Sequence, residues 1–153
     1  GTGSSTVEAF LTASSNADCA AEVDAYMHTN VSGAQIVIAC RQSGVFASRN
    51  YYRLALLADG TLTLAKVVSG TYTSLASTAY GTLSTGTPYT LRVEAIGTAI
   101  KAYVNGVQQL SVTDSAVTSG GGLALQIANP TTATTVGSSA TGWAADAVRL
   151  YNT

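Results

Sequence analysis

Apolar and polar residues alternate in short runs along most of this 153-residue chain. No long window carries the 3.6-residue apolar period of an amphipathic helix, whereas a period of two, the mark of strands with one buried face, recurs throughout. Runs of this kind are TVEAFL near the amino terminus, CAAEVDAYM (19–27), AQIVIACR (34–41), NYYRLALL (50–57), TLTLAKVV (61–68) and TYTSLAS (71–77). The series continues with PYTLRVEA (88–95), AIKAYVN (99–105), VQQLSVT (107–113), GLALQIA (122–128) and AADAVRLY (144–151). Between them stand ADGT, VSGT and VNGV; Asp-Gly and Asn-Gly accept the positive φ angles of tight hairpins. Many short strands at this spacing predict an all-β chain, a two-sheet antiparallel sandwich or a barrel. One domain over 1–153 is expected, with a flexible leader at 1–6 and a long surface loop, NPTTATTVGSSATG, at 129–142.

Register follows from asking which pairing brings apolar residues together. Across IGTA, Leu91 meets Val104 and Val93 meets Ala102 on one face. On the other face Glu94 meets Lys101, an opposite-charge cross-strand pair. Across HTNV, matching Val23 with Ile36 also matches Ala21 with Ile38 and predicts that Cys19 lies opposite Cys40. Arg41 then falls opposite Asp18. Two readings of the cysteines stand: a disulfide, or two buried thiols acting as small apolar residues. Each hairpin has one apolar and one more polar face, as a two-layer sandwich requires.

Composition narrows the class of partner. Only 10% of residues are charged while 46% are hydrophobic, with a formal net charge of −1. The basic residues are scattered from Arg41 to Arg149, so no stripe exists to neutralise phosphates and no nucleic-acid partner is expected. No apolar run approaches the ~20 residues of a membrane helix, so no membrane insertion is expected. Low charge with abundant Thr, Ser and Gly fits an extracellular or virion-surface protein. The opening GTGSST carries neither Met nor a signal peptide, which suggests a mature chain or a module of a longer one.

Three stretches carry a family resemblance. They are YYRLALLADGTLTLAKVVSGTYTSLAS, then GTPYTLRVEAIGTAIKAYVNGVQQLSVTDSAVTSGGGLALQ, then AADAVRLY. A Tyr-rich strand, a turn and an LxLxK strand precede a YxLRVxxxGxxIKxYVNG hairpin and a final Asp-containing strand. Together they resemble the concanavalin A-like, laminin-G-like lectin–glucanase superfamily, over residues 18 to 151. The resemblance implies a jelly roll, and with it a range of functions: lectins, carbohydrate-binding modules, laminarinase-type hydrolases and phage virion modules.

The segment AEVDAYMH raises the hydrolase question. Laminarinase-type enzymes carry E-x-D-x-E on one strand: a nucleophile, a tuning Asp and a general acid, with the two outer carboxyls about 5–5.5 Å apart for retaining hydrolysis. Glu22 and Asp24 match the first two places, but Tyr26 stands where the acid belongs. A phenol with an ordinary pKa of about 10 donates no useful proton near neutrality. His28, the only histidine, follows on the same face. There is no G-x-S-x-G elbow and no zinc-ligand spacing, so no catalytic residue is assigned and the chain is read as a non-enzyme.

Glycan binding uses aromatic faces against sugar rings and planar polar groups against hydroxyls. Tyr26, Tyr51, Tyr72, Tyr89, Tyr103 and Trp143 are available, with Arg41, Arg53 and Arg92 as donors; Tyr52 shares the parity of Leu54 and Leu56 and belongs to the core. The expected site is the polar face of Glu22, Asp24, Tyr26 and His28, with Arg41 and Trp143. No cofactor is assigned. The resemblance also implies a structural Ca²⁺ held between Asp146 and an amino-terminal carboxylate, for which Glu8 is available, beside the plainer reading of a strand-edge Asp. The expected function is a non-catalytic glycan-binding or adhesion module of a larger secreted or virion protein, its partner a glycan or cell-surface polysaccharide. The alternative is a structural virion component, such as a phage tail or head-decoration domain with self-assembly partners. A degenerate glycoside hydrolase ranks third.

Overall fold

A computed structural model of the protein describes residues 5–11, 17–129 and 142–153. Eleven strands follow in chain order: β1 (Ser5–Leu11), β2 (Cys19–Met27), β3 (Gln35–Ser43), β4 (Asn50–Leu57), β5 (Thr61–Val68), β6 (Thr71–Ala79), β7 (Pro88–Ile96), β8 (Ala99–Val104), β9 (Val107–Thr113), β10 (Gly122–Asn129) and β11 (Trp143–Asn152). The one helical piece among the described residues is a short 3₁₀ turn at Phe46–Ser48. Every strand run read from the sequence is present, four of them with the expected bounds. β1 begins inside the expected leader, and most of the expected 129–142 loop lies outside the described residues.

The strands form two antiparallel sheets. Six lie in the order β1-β10-β3-β4-β5-β6 and five in the order β11-β2-β7-β8-β9. The core fills the space between them with Val23, Ile36, Ile38, Leu54, Leu64, Leu91, Val93 and Ile100, all fully buried. Tyr52 is buried with them, as its parity predicts. Two hairpin turns have both central residues at positive φ, Ser69-Gly70 and Asn105-Gly106, the geometry that suits the twist of the flanking strands. Gly60 (φ +83°) is obligatory for a second reason: a Cβ there would sit 1.9 Å from the carbonyl oxygen of Gly81.

The β7–β8 register is the expected one: Leu91 with Val104, Val93 with Ala102 and Glu94 with Lys101. The β2–β3 register is not. β2 pairs with β11 and β7, placing Val23 between Val148 and Leu91; β3 pairs with β10 and β4, placing Ile36 between Ile127 and Leu56. The two strands lie in different sheets, so Cys19 and Cys40 are not cross-strand neighbours. Matching apolar residues cannot separate strands paired side by side from strands packed face to face across a core.

One end of the sandwich is fastened by polar groups. The β3–β4 ladder shifts between Cys40 and Ser43, and Arg41 takes φ +54°. Its buried guanidinium donates to the carbonyls of Ala17, Val117 (2.9 Å) and Gly97 (2.8 Å) and to Asp18 Oδ1 (3.1 Å). Next to it, Tyr52 Oη donates to Asp114 Oδ1 at 2.7 Å, and Lys66 Nζ meets Asp114 Oδ2 at 2.6 Å. Together they hold the 114–121 segment against both sheets.

Candidate functional site

The sandwich has two outward faces, and they differ in what they leave available. On the five-stranded sheet, alternation along β2 turns Glu22, Asp24, Tyr26 and His28 outward together, as the sequence predicts. Their neighbours come from β11 and β7. Arg149 spans both carboxylates, with Nη1 3.2 Å from Glu22 Oε1 and Nη2 2.7 Å from Asp24 Oδ2. Glu22 also accepts from Tyr151 Oη (3.2 Å), and Asp24 from Thr90 Oγ1 (2.7 Å). Arg92 lies 3.8 Å from Glu22 and 3.1 Å from Glu94. The hydrogen bonds from Arg149 and then Thr90 hold the Asp24 carboxyl below the usual carboxylate range. A depressed pKa is the reverse of what a general acid needs. Tyr26 is half-buried and meets His28 edge-on, ring centroids 4.8 Å apart.

The other predicted residues fall elsewhere. Arg41 is 1% exposed with its donors engaged internally, and Trp143 is 3% exposed in the core against Tyr89; neither reaches the surface as a ligand contact. Arg41 and Asp18 do meet as an ion pair, but not across a shared ladder and with the arginine buried. Tyr89 is a core residue whose hydroxyl accepts from the Ser84 backbone N–H. Glu8 lies on β1 and Asp146 at a bulge of β11, on different sheets. The Glu8 carboxylate accepts from Arg49 (2.8 Å) and Gln126 (3.1 Å). No group of three or more His, Cys, Asp or Glu that could hold a metal ion occurs among the described residues. Cys19 and Cys40 are buried free thiols.

The outer face of the six-stranded sheet has a different build. Register aligns Gln126, Val37, Ala55 and Thr63 in one row, and Ala124, Ala39, Arg53, Ala65 and Ser74 in the next. Val37, Ala39, Ala55, Ala65, Val67 and Ala124 point away from the core yet are between 0% and 8% exposed. Small side chains thus form a floor beneath taller neighbours. A depression in it is lined by Glu8, Val37, Ala39, Arg49, Tyr51 and Gln126. Arg53 rises between Ala39 and Ala65, donates from Nη2 to Gln35 Oε1 at 3.2 Å, and stacks over Tyr72 at 5.5 Å from the ring centroid. Burial lowers the Arg53 pKa from its ordinary value. Tyr72 is 50% exposed.

The depression holds Tyr51, Arg49 and Gln126 over this apolar floor, and Arg53, Tyr72 and Gln35 stand beside it on the same sheet face. Together they form a shallow groove with two tyrosine rings and planar donors and acceptors. Tyr51, Tyr72 and Arg53 were legible as available groups; Arg49, Gln35 and Gln126 were not. The missed signal is the unbroken apolar run IVIAC in β3, since a strand without alternation is covered on both faces.

No family model and no curated protein matches the chain. Its fold matches solved structures. A carbohydrate binding module, CBM66, from Bacillus subtilis shares 17% identity over 81% of this chain and 80% of its own, with a TM-score of 0.62. Sheep galectin-11, in complex with glycerol, shares 10% identity over 95% and 96%, with a TM-score of 0.63. A beta-glucanase from Bacillus licheniformis shares 12% identity over 94% of this chain and 68% of its own, with a TM-score of 0.65. At these identities the likeness is one of fold alone, a two-sheet antiparallel jelly-roll sandwich.

Proposed function

We propose that the chain is a non-catalytic recognition module that binds a glycan in the groove on the outer face of its six-stranded sheet. The observation that carries this reading is the pairing of a small-residue floor with Tyr51, Tyr72 and the planar groups of Arg49, Arg53, Gln35 and Gln126. A pyranose offers C–H faces to aromatic rings and hydroxyls to planar donors and acceptors, and such a groove answers both at once. The carbohydrate-binding module and galectin among the structural neighbours support it. The Arg149 clamp on Glu22 and Asp24 argues against hydrolysis. Low charge and abundant Thr, Ser and Gly suit carriage on the outside of a larger secreted or virion protein.

The β2 face is a second location for the same function, favoured by the Tyr26–His28 ring pair beside two carboxylates. A glycan array followed by titration of the best binder separates the two. A single aromatic contact contributes roughly 0.5–1.5 kcal/mol beyond area burial, so Tyr72→Ala should weaken binding by up to about tenfold. Binding unchanged by Tyr51→Ala and Tyr72→Ala would reject the groove, and no binding to any glycan would reject the function.

A further inference from the structure

We propose that the glycan taken by this groove is acidic, with Arg53 as the partner of a carboxylate or sulfate ester on the sugar. The proposal rests on the glycan-binding reading and adds to it the chemical class of ligand. All eight acidic residues of the chain are among the described residues. Arg41 pairs with Asp18, Arg49 with Glu8, Arg92 with Glu22 and Glu94, Arg149 with Glu22 and Asp24, and Lys66 with Asp114. Arg53 is the one arginine with no carboxylate in ion-pair contact.

Its position makes that absence informative. A solvated surface arginine needs no counter-charge, but Arg53 is half-buried beside the depression that Tyr51 lines, stacked over Tyr72. Withdrawing a cation from water costs free energy that an opposite charge offsets. Its guanidinium makes one hydrogen bond among the described residues, to Gln35, and lies over Tyr72. These two contacts orient the fork and leave most of its N–H groups free for a ligand. Both strand neighbours in its row are alanines, Ala39 and Ala65, so nothing tall stands beside it there. A planar guanidinium so held matches a carboxylate or sulfate oxygen pair, a geometry a lysine ammonium does not reproduce. The groove's remaining charges, Arg49 and Glu8, are engaged with each other, so Arg53 sets its sign as positive.

The test compares three tetrasaccharides by calorimetric titration: galacturonic acid, neutral galactose, and galactose sulfate. The acidic sugars should bind at least about tenfold more tightly than the neutral one, with the preference shrinking at high salt. Which acidic sugar leads tells carboxylate from sulfate. Arg53→Gln should erase the preference, so that acidic and neutral sugars bind alike whatever their absolute affinity, and Arg53→Lys should restore only part of it. The salt-dependent preference is read on the unaltered protein, so it stands even if Arg53→Gln fails to fold. Equal affinity for neutral and acidic sugars, or a preference that survives Arg53→Gln, would overturn the acidic class and leave glycan binding standing. No binding of any sugar would overturn both.

Discussion

Cys19 and Cys40 come from opposite sheets and are both fully buried in the one core between them. Their mutual interaction, with help from Arg41, lowers the Cys19 pKa to about 7, while the same interaction and burial push Cys40 well above its ordinary value. Refolding in glutathione disulfide is expected to join the two: one thiolate attacks the small disulfide, the other displaces glutathione from the mixed disulfide, and two glutathiones leave. Closing a loop of this size stabilises by roughly 3 kcal/mol in the chain-entropy view, and thermal melts with and without reductant should differ accordingly. Two thiols still open to alkylation after oxidative refolding would contradict the pairing.

Acid sensitivity follows from Asp114. Burial alone would raise its pKa, but hydrogen bonds from Lys66, Tyr52 and the Ala116 backbone outweigh it and hold the carboxyl below the ordinary value. A depressed carboxylate stabilises the fold above its unfolded pKa, and that contribution disappears as pH falls through the folded value. Stability should therefore decline from about pH 5 downward, with Asp24 adding to the slope. Asp114→Ala should cost about 2–4 kcal/mol at pH 7, and Asp114→Asn should flatten the acid limb of a melting-temperature profile. An unchanged acid limb in Asp114→Asn would assign it to other groups.

Exposure separates binding from stability at the groove. Tyr72 is 50% exposed on the edge strand β6, so Tyr72→Ala should change stability by less than about 0.5 kcal/mol while weakening glycan binding by up to about tenfold. Tyr26→Ala should leave affinity within about twofold. A large loss at Tyr26 with none at Tyr72 would transfer the site to β2.

Hydrolysis of β-glucans should be absent. Arg149 is in ion-pair contact with both Glu22 and Asp24, and Tyr26 stands where an E-x-D-x-E pattern would have its second Glu. Reducing-sugar release should not exceed that of a protein-free control. Release that disappears in Glu22→Gln would make this strand catalytic.

The strands and one hairpin register were legible because they are local. In 88–104 the turn fixes which residues meet, so Glu94 finds Lys101 as the alternation predicts. The 28–34 connection instead crosses between layers, and Val23 and Ile36 share a core without sharing a ladder. Arg41 was misread because the ladder shift after Cys40 turns its side chain into the protein, where carbonyls distant in sequence surround it. The groove was hidden for a related reason. Glu8, Arg49, Arg53 and Gln126 are scattered along the chain and become neighbours only when β10 enters between β1 and β3.

Amide chemical-shift mapping with the tightest-binding oligosaccharide is the most direct measurement of where recognition occurs. Shifts should concentrate at Val37, Ala39, Ala55, Ala65, Val67 and Ala124, with Glu22 to Tyr26 and Thr90 to Glu94 unmoved. Shifts confined to those β2 and β7 amides, with the groove floor silent, would contradict the assignment of glycan binding to the six-stranded sheet.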